Sequence, residues 1–413
     1  MPLQAETVER IHKFMNNGTS LFNAIIDDDG AKYLAKCIQS SSGNSNISCL
    51  FLADNRIGDE GARYLAEVLN GFNITEFNVF NNKNIGDVGV GYLAGNLKSA
   101  TKLERLNLGA NNIGAIGAIS LAEGLNGSNC QLLSLSCNNI GSNGAKCILE
   151  ALQYTNIHYL CLESNNIGDS GLGTLQQNSN LSFLDLSYNH IGQAGAKYIA
   201  NLIQNSTKLR TLWLSNNKLG PAGVRCIAKV LKQNITLEYL DLSGNCVGDD
   251  EMRVLGMALR ESNVRTLNVS NNKISVDCMA EALKGTNITS VPSNSEKMIT
   301  VVLTENRKRI SAGALMAVGA ASIASNTLGR VPIEIQKAIY EFAYSPNYSW
   351  RPSATLAIST IEKSRDIQCD FIRKSLSQTG LTLFSWKQAR AERCQNKGNP
   401  RKKAPNDDGC RVS

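Results

Sequence analysis

The chain has 413 residues, with 42 Lys plus Arg against 35 Asp plus Glu, a net charge of +7 and 42% hydrophobic residues. Length and apolar content suffice for more than one core, which excludes a wholly disordered chain. The three histidines, His12, His158 and His190, lie far apart, and the 12 cysteines show no paired C-x-x-C spacing, so neither a metal site nor a disulfide framework is expected.

Residues 1–46 read as an N-terminal cap with a degenerate repeat. A helix near 5–15 places Val8, Ile11, Phe14 and Met15 on one side, and Gly30-Ala31 opens a second helix. From 47 to 294 an L-x-L-x-x-N phrase recurs nine times, with asparagines at 55, 82, 111, 138, 165, 189, 217, 245 and 272. In Leu103 to Asn111 the alternating leucines predict a short strand with one buried face, and Asn111 stands where the chain must leave the strand. An Asn side chain there can satisfy backbone groups that have lost a ladder partner. The second half of a unit, clearest from Gly61 to Leu69, carries one helical apolar stripe. Alternating strands and helices predict an α/β solenoid with parallel inner strands and outer helices, curved into a horseshoe because a helix is wider than a strand. The unit between Asn165 and Asn189 is about a turn short, which predicts a trimmed outer helix. The extra residue in Asn82-Lys83-Asn84-Ile85 predicts a local bulge.

The strand phrase followed by N-x-I-G-x-x-G-A-x-x-L-A-x-x-L is similar to the ribonuclease-inhibitor class of leucine-rich repeats, over roughly residues 20–294. That class includes the repeats of NOD-like receptors and of the Ran GTPase-activating protein. The resemblance implies a binding array without cofactor or catalytic residues. Class members that stimulate a GTPase present an arginine from an inserted loop; here Arg56 lies inside an ordinary N-x-I-G turn, so a Ran-type activator is the alternative rather than the main expectation.

Side chains flanking the buried leucines should face the concavity, because strand residues alternate sides. This criterion selects Phe51, Phe80, Tyr159, Phe183, Tyr188, Trp213 and Tyr239, with Glu163, Asp185 and Asp241 beside the later aromatics. Exposed aromatics ringed by carboxylates suit a partly basic protein partner.

Composition changes near residue 295. Up to 294 there are 23 Lys plus Arg and 25 Asp plus Glu, a net of −2; beyond it 19 against 10 give +9. Residues 295–396 read as a C-terminal all-helical domain, whose first helix should cover the last repeat, and 397–413 as a disordered basic tail. The uncharged run 310–329 is rich in Ala, Gly and Ser and reads as a capping helix rather than a membrane span. Val331 to Phe342 is similar to the opening of an F-box, which implies a second alternative, an adaptor for ubiquitin transfer. The final Cys410-Arg411-Val412-Ser413 resembles a prenylation box, with Arg401, Lys402 and Lys403 as a basic second signal. An Asn-rich array with such an end resembles the leucine-rich effectors that intracellular bacteria such as Legionella deliver into host cells.

The expectation is therefore a monomeric, non-enzymatic scaffold or regulator binding a protein through its concave face. No nucleic acid is expected, and membrane association only if Cys410 is lipidated. The unpaired cysteines point to a cytoplasmic home, in a host cell if the protein is a translocated effector.

Overall fold

The computed structural model describes residues 4–17, 20–41, 47–70, 72–175, 180–291 and 302–307. All but Arg307 belong to one compact unit, Met1–Asn306. Within it nine three-residue strands form one parallel sheet in sequence order: β1 (Cys49–Phe51), β2 (Glu76–Asn78), β3 (Arg105–Asn107), β4 (Leu132–Ser134), β5 (Tyr159–Cys161), β6 (Phe183–Asp185), β7 (Thr211–Trp213), β8 (Tyr239–Asp241) and β9 (Thr266–Asn268). The register is unbroken, so Leu50, Phe77, Leu106, Leu133, Leu160, Leu184, Leu212, Leu240 and Leu267 form one column, each with no exposed surface.

The outer layer holds α1 (Ala5–Asn17), α2 (Asp28–Ser40), α3 (Asp59–Leu69), α4 (Asp87–Leu97), α5 (Ala115–Leu125), α6 (Gly141–Ala151), α7 (Gln193–Asn205), α8 (Gly220–Leu231), α9 (Asp249–Leu259) and α10 (Val276–Leu283). Among its described residues the short unit has a 3-10 turn, Ser170–Leu172, where its neighbours carry a helix. The extra residue after Asn82 is absorbed by a turn that the Ile85 N–H closes on the Asn82 carbonyl at 2.9 Å. At the N-terminal edge, Ile11 and Phe14 of α1 are buried, and the Leu21 and Asn23 N–H groups pair with the Phe51 and Ala53 carbonyls. At the other end, residues 302–307 form a helical turn that buries Leu303 and sends the Asn306 amide to the Leu283 and Ile288 carbonyls. The remaining expectations for 295–413, including the helical domain, the F-box-like segment, the basic tail and Cys410, lie outside the described residues.

Two polar ladders tie the units together. In the first, each phrase asparagine bridges neighbouring repeats: Asn82 Nδ2 donates to the Leu52 carbonyl of the preceding unit and to Val79 of its own, while its Oδ1 accepts from Ile57 N. The residue just before the asparagine is left-handed in every unit, with φ from +52 to +56° at Asp54, Asn81, Ala110, Cys137, Ser164, Tyr188, Asn216 and Asn271 and +63° at Gly244. Non-glycine residues rarely accept that conformation, and here most are fixed by their N–H bonding the next unit, as Tyr188 N does to the Ser215 carbonyl at 2.9 Å.

The second ladder runs along the helix starts. The glycines that precede α3, α4, α5 and α7 have no side chain to cap with, so an aspartate one unit upstream does it. Asp28 Oδ1 accepts from Gly58 N and Gly61 N, Asp59 from Gly86 and Gly89, Asp87 from Gly114 and Gly117, and Asp169 from Gly192. In those units the capping glycine is extended, with φ between −98 and −113°. Where the upstream position holds Ala115, Ser142 or Gln193, the next glycine flips: Gly141, Gly168 and Gly220 have φ of +64, +63 and +59°. Their N–H groups go instead to the carbonyls of Asn165, Asn189 and Asn245. Gly248 is the exception that keeps an extended start without an upstream acid, because Glu251 of its own helix accepts its N–H at 3.2 Å.

Candidate functional site

The sheet's inner face carries two rows of side chains, mostly half-buried, one on either side of the leucine column. One reads Cys49, Glu76, Arg105, Leu132, Tyr159, Phe183, Thr211, Tyr239, Thr266; the other Phe51, Asn78, Asn107, Ser134, Cys161, Asp185, Trp213, Asp241, Asn268. Across β5 to β8 the aromatics touch. Tyr159 stacks on Phe183 with ring centroids 4.0 Å apart, Phe183 meets Trp213 edge-on at 5.3 Å, and Trp213 leans on Tyr239 at 6.0 Å. Stacked and edge contacts of this kind are the favoured arrangements of aromatic pairs. Trp213 is the most open of the four, at 37%.

Three selected aromatics stand apart from this run, the first of them Phe51 on β1. Tyr188 does not flank a strand leucine; it occupies the left-handed turn before Asn189, half-exposed, three residues past β6. Phe80 likewise lies in the turn after β2, its N–H bonded to Asn78 Oδ1, far along the array from Tyr159. Phe80 holds the same place in its unit as Glu163 and Ser187, two residues past the strand.

The carboxylates correct a second expectation, that they ring the aromatics as exposed groups. Asp185 is 2% and Asp241 8% exposed. Each accepts the N–H two residues on, Ser187 at 2.9 Å and Ser243 at 2.8 Å, a side-chain turn that ends the strand. Asp241 is fully served, since Ser243 Oγ donates to its Oδ1 at 2.6 Å and Asn268 Nδ2 to its Oδ2 at 2.8 Å. Asp185 receives only the Cys161 thiol at 3.6 Å on its second oxygen. Glu163, half-buried in the turn after β5, takes no hydrogen bond or ion pair from any described residue.

Electrostatics follow from that placement. Burial is the chief reason the Glu163 carboxyl titrates above its ordinary value, with Asp185 adding repulsion. Burial likewise raises Asp185, against the Ser187 bonds and the Cys161 thiol, with Asp241 adding repulsion. Burial and Asp185 push the Cys161 thiol to about 12, so it remains an S–H donor. Cys161, Glu163 and Asp185 offer ligand atoms within 4.8 Å of one another, a cluster that the sequence did not announce because its members come from two units. Among the described cysteines Cys130, Cys161 and Cys278 are buried, Cys137 and Cys246 are exposed and the others intermediate, all of them free. Arg56 is exposed in the turn after Asn55, beside Lys83 on an open depression that Phe22 and Asn23 also line.

The Leucine Rich repeat family model matches the chain eight times, at residues 43–66, 72–94, 99–122, 131–149, 155–175, 177–200, 205–228 and 233–252. The chain is a leucine-rich repeat protein, and β9 with α10 adds a ninth unit beyond those matches. No curated protein matches it. Among solved structures it is similar to Rad7 in the yeast Rad7–Elc1 complex, at 16% identity, covering 61% of this chain and 69% of that one with a TM-score of 0.40. It is also similar to an internalin of Listeria monocytogenes, at 18% identity over 71% of this chain and 96% of that one, with a TM-score of 0.29.

Proposed function

We propose that this protein is a non-enzymatic scaffold or regulator of the ribonuclease-inhibitor type that binds another protein through the inner face of units five to eight. The observation that carries this reading is the run Tyr159, Phe183, Trp213 and Tyr239, whose rings contact one another and whose centre is open to solvent. A folded protein holds large rings exposed on a sheet at a cost in hydration that a partner recovers by covering them. Buried aromatic anchors of this sort dominate interface energetics, whereas the surrounding Ser and Thr supply shape. The sequence features at the C-terminus extend the reading to a cytoplasmic protein, delivered into a host cell as a bacterial effector and held at membranes through Cys410.

The test uses the full chain as bait in host-cell lysate, followed by mass spectrometry, against a Trp213→Ala, Tyr239→Ala variant. Each replacement should weaken the principal partner by about 2 kcal/mol or more, while the unfolding temperature moves little. A partner retained equally by both baits would remove the inner face from consideration.

A further inference from the structure

The acidic group beneath the aromatics does more than end strands. At the residue that closes β2, β3 and β9, an asparagine accepts the N–H two residues on: Asn78 from Phe80, Asn107 from Gly109, Asn268 from Ser270. Asp185 does the same for Ser187, so the turn needs an acceptor oxygen but not a negative charge. The charge is nevertheless placed where it is costly, almost fully buried, next to a half-buried Glu163 that nothing described neutralises. Among the described residues, the charges acting on the pair are acidic: Asp185 on Glu163, and Asp241 on Asp185.

Ser187 adds an independent sign. It is 3% exposed, and its hydroxyl, although near enough to Asp185 to favour the carboxylate, makes no properly directed hydrogen bond. The equivalent Ser243 donates to Asp241 at 2.6 Å. A buried hydroxyl without a partner costs free energy, and here it lies in the same turn as the two under-served carboxyls. Directly beside them, in register, Trp213 stands between Asp185 and Asp241.

Resting on the inner-face reading, we propose that this acidic cluster beside Trp213 receives an arginine side chain of the partner protein, its guanidinium stacked on Trp213 and donating to Glu163, Asp185 and Ser187 Oγ. Arginine fits each part. Its planar cation stacks on indole, its five N–H donors match two carboxylates and a hydroxyl, and it sheds water more readily than an ammonium. A bare metal ion fits less well, because the aromatic wall would serve it nothing.

The test is fluorine NMR of the full chain labelled with 5-fluorotryptophan, its Trp213 signal identified by loss in Trp213→Phe. The probes are acetyl-Gly-Gly-Arg-Gly-Gly-amide and the same peptide with uncharged citrulline. A saturable shift of the Trp213 signal is expected with the arginine peptide, at least about tenfold weaker with citrulline, and similarly weakened in Glu163→Gln and Asp185→Asn. Asp185→Asn keeps the strand-ending turn, so a weakened response there reports charge and not misfolding. No saturable shift, or an equal response to citrulline, overturns the proposal. A shift by zinc chloride without one by the arginine peptide makes the cluster an ion site and also overturns the proposal. If the peptide fails while Trp213→Ala, Tyr239→Ala still abolishes partner capture, the inner-face reading stands and only the arginine assignment falls.

Discussion

Asp59 Oδ1 accepts the backbone N–H of Gly89 at 2.9 Å, 30 residues downstream, so an acid at the start of α3 caps the start of α4. The bond explains why a glycine is required there: a methyl at Gly89 would stand 2.6 Å from Asp59 Oδ1 and 3.0 Å from its Cα. Helix capping in this protein is thus shared between repeats, and part of each helix's stability resides in its neighbour.

Gly89→Ala should therefore destabilise the protein by about 2 kcal/mol or more, because the acid must retreat and leave two helix-start N–H groups without an acceptor. Gly91→Ala, two residues further along α4, should be neutral or stabilising by up to about 1 kcal/mol, since nothing lies within 4 Å of the added methyl. Urea unfolding of the two variants separates a close-approach effect from a general glycine effect. Equal midpoints would show that the Asp59 bond carries no stability.

Gly141 offers the reverse experiment. It follows the acid-less Ala115 and sits at φ +64° with nothing within 4 Å of a built Cβ. Gly141→Ala alone should cost about 1 kcal/mol for the left-handed conformation. In an Ala115→Asp background Gly141 gains an upstream acceptor and should turn extended, which stabilises by about 0.5–2 kcal/mol and makes Gly141→Ala tolerable. A double-mutant cycle with no coupling would refute the link between acid and glycine conformation.

The sequence made the asparagine ladder legible because each phrase repeats its own Leu and Asn at fixed spacing, and both act within or next to that spacing. The aspartate ladder was equally written, as Gly58-Asp59, Gly86-Asp87 and Gly168-Asp169, but its acceptors act one repeat later, so only a two-unit reading exposes it. The aromatic run was recoverable from period two for Tyr159, Phe183, Trp213 and Tyr239. Phe80 and Tyr188 fall beyond the strands, two residues past β2 and three past β6, where period two alone does not place a side chain. Burial of Asp185 and Asp241 was not legible, since an acid and an asparagine end a strand with the same oxygen.

Residues 302–307 cover the last repeat through Leu303 and Asn306, and Asn306 Nδ2 donates to the Leu283 carbonyl at 2.9 Å. A chain ending at 294 loses that cover and exposes the core under α10. It should unfold several degrees lower than the full chain or associate, as differential scanning calorimetry with light scattering would show. Asn306→Ala in the full chain should reproduce part of the loss, about 1–3 kcal/mol, because buried carbonyls and the Gly285 N–H lose their partner.

Asp185→Asn should make the free protein more stable near neutral pH. Burial and the neighbouring acids raise the folded values of Asp185 and Glu163 above their ordinary ones, so both bind protons more tightly folded than unfolded. For such groups stability is fully present below the unfolded carboxylate range and is lost as pH rises through the elevated folded values. The variant removes one charge from the group formed with Glu163, Asp241 and the Cys161 thiol, yet its amide oxygen can still accept the Ser187 N–H, as Asn268 does for Ser270. Thermal unfolding should therefore show a higher midpoint than the parent at about pH 7, with the gap closing towards about pH 4 as the parent carboxyl takes up its proton. A gap that widens on acidification, or a variant less stable at neutral pH, would mean that the charge serves the fold. Stability gained by removing the charge, set against ligand response lost by the same change, would instead place Asp185 among the residues kept for binding at the expense of the fold.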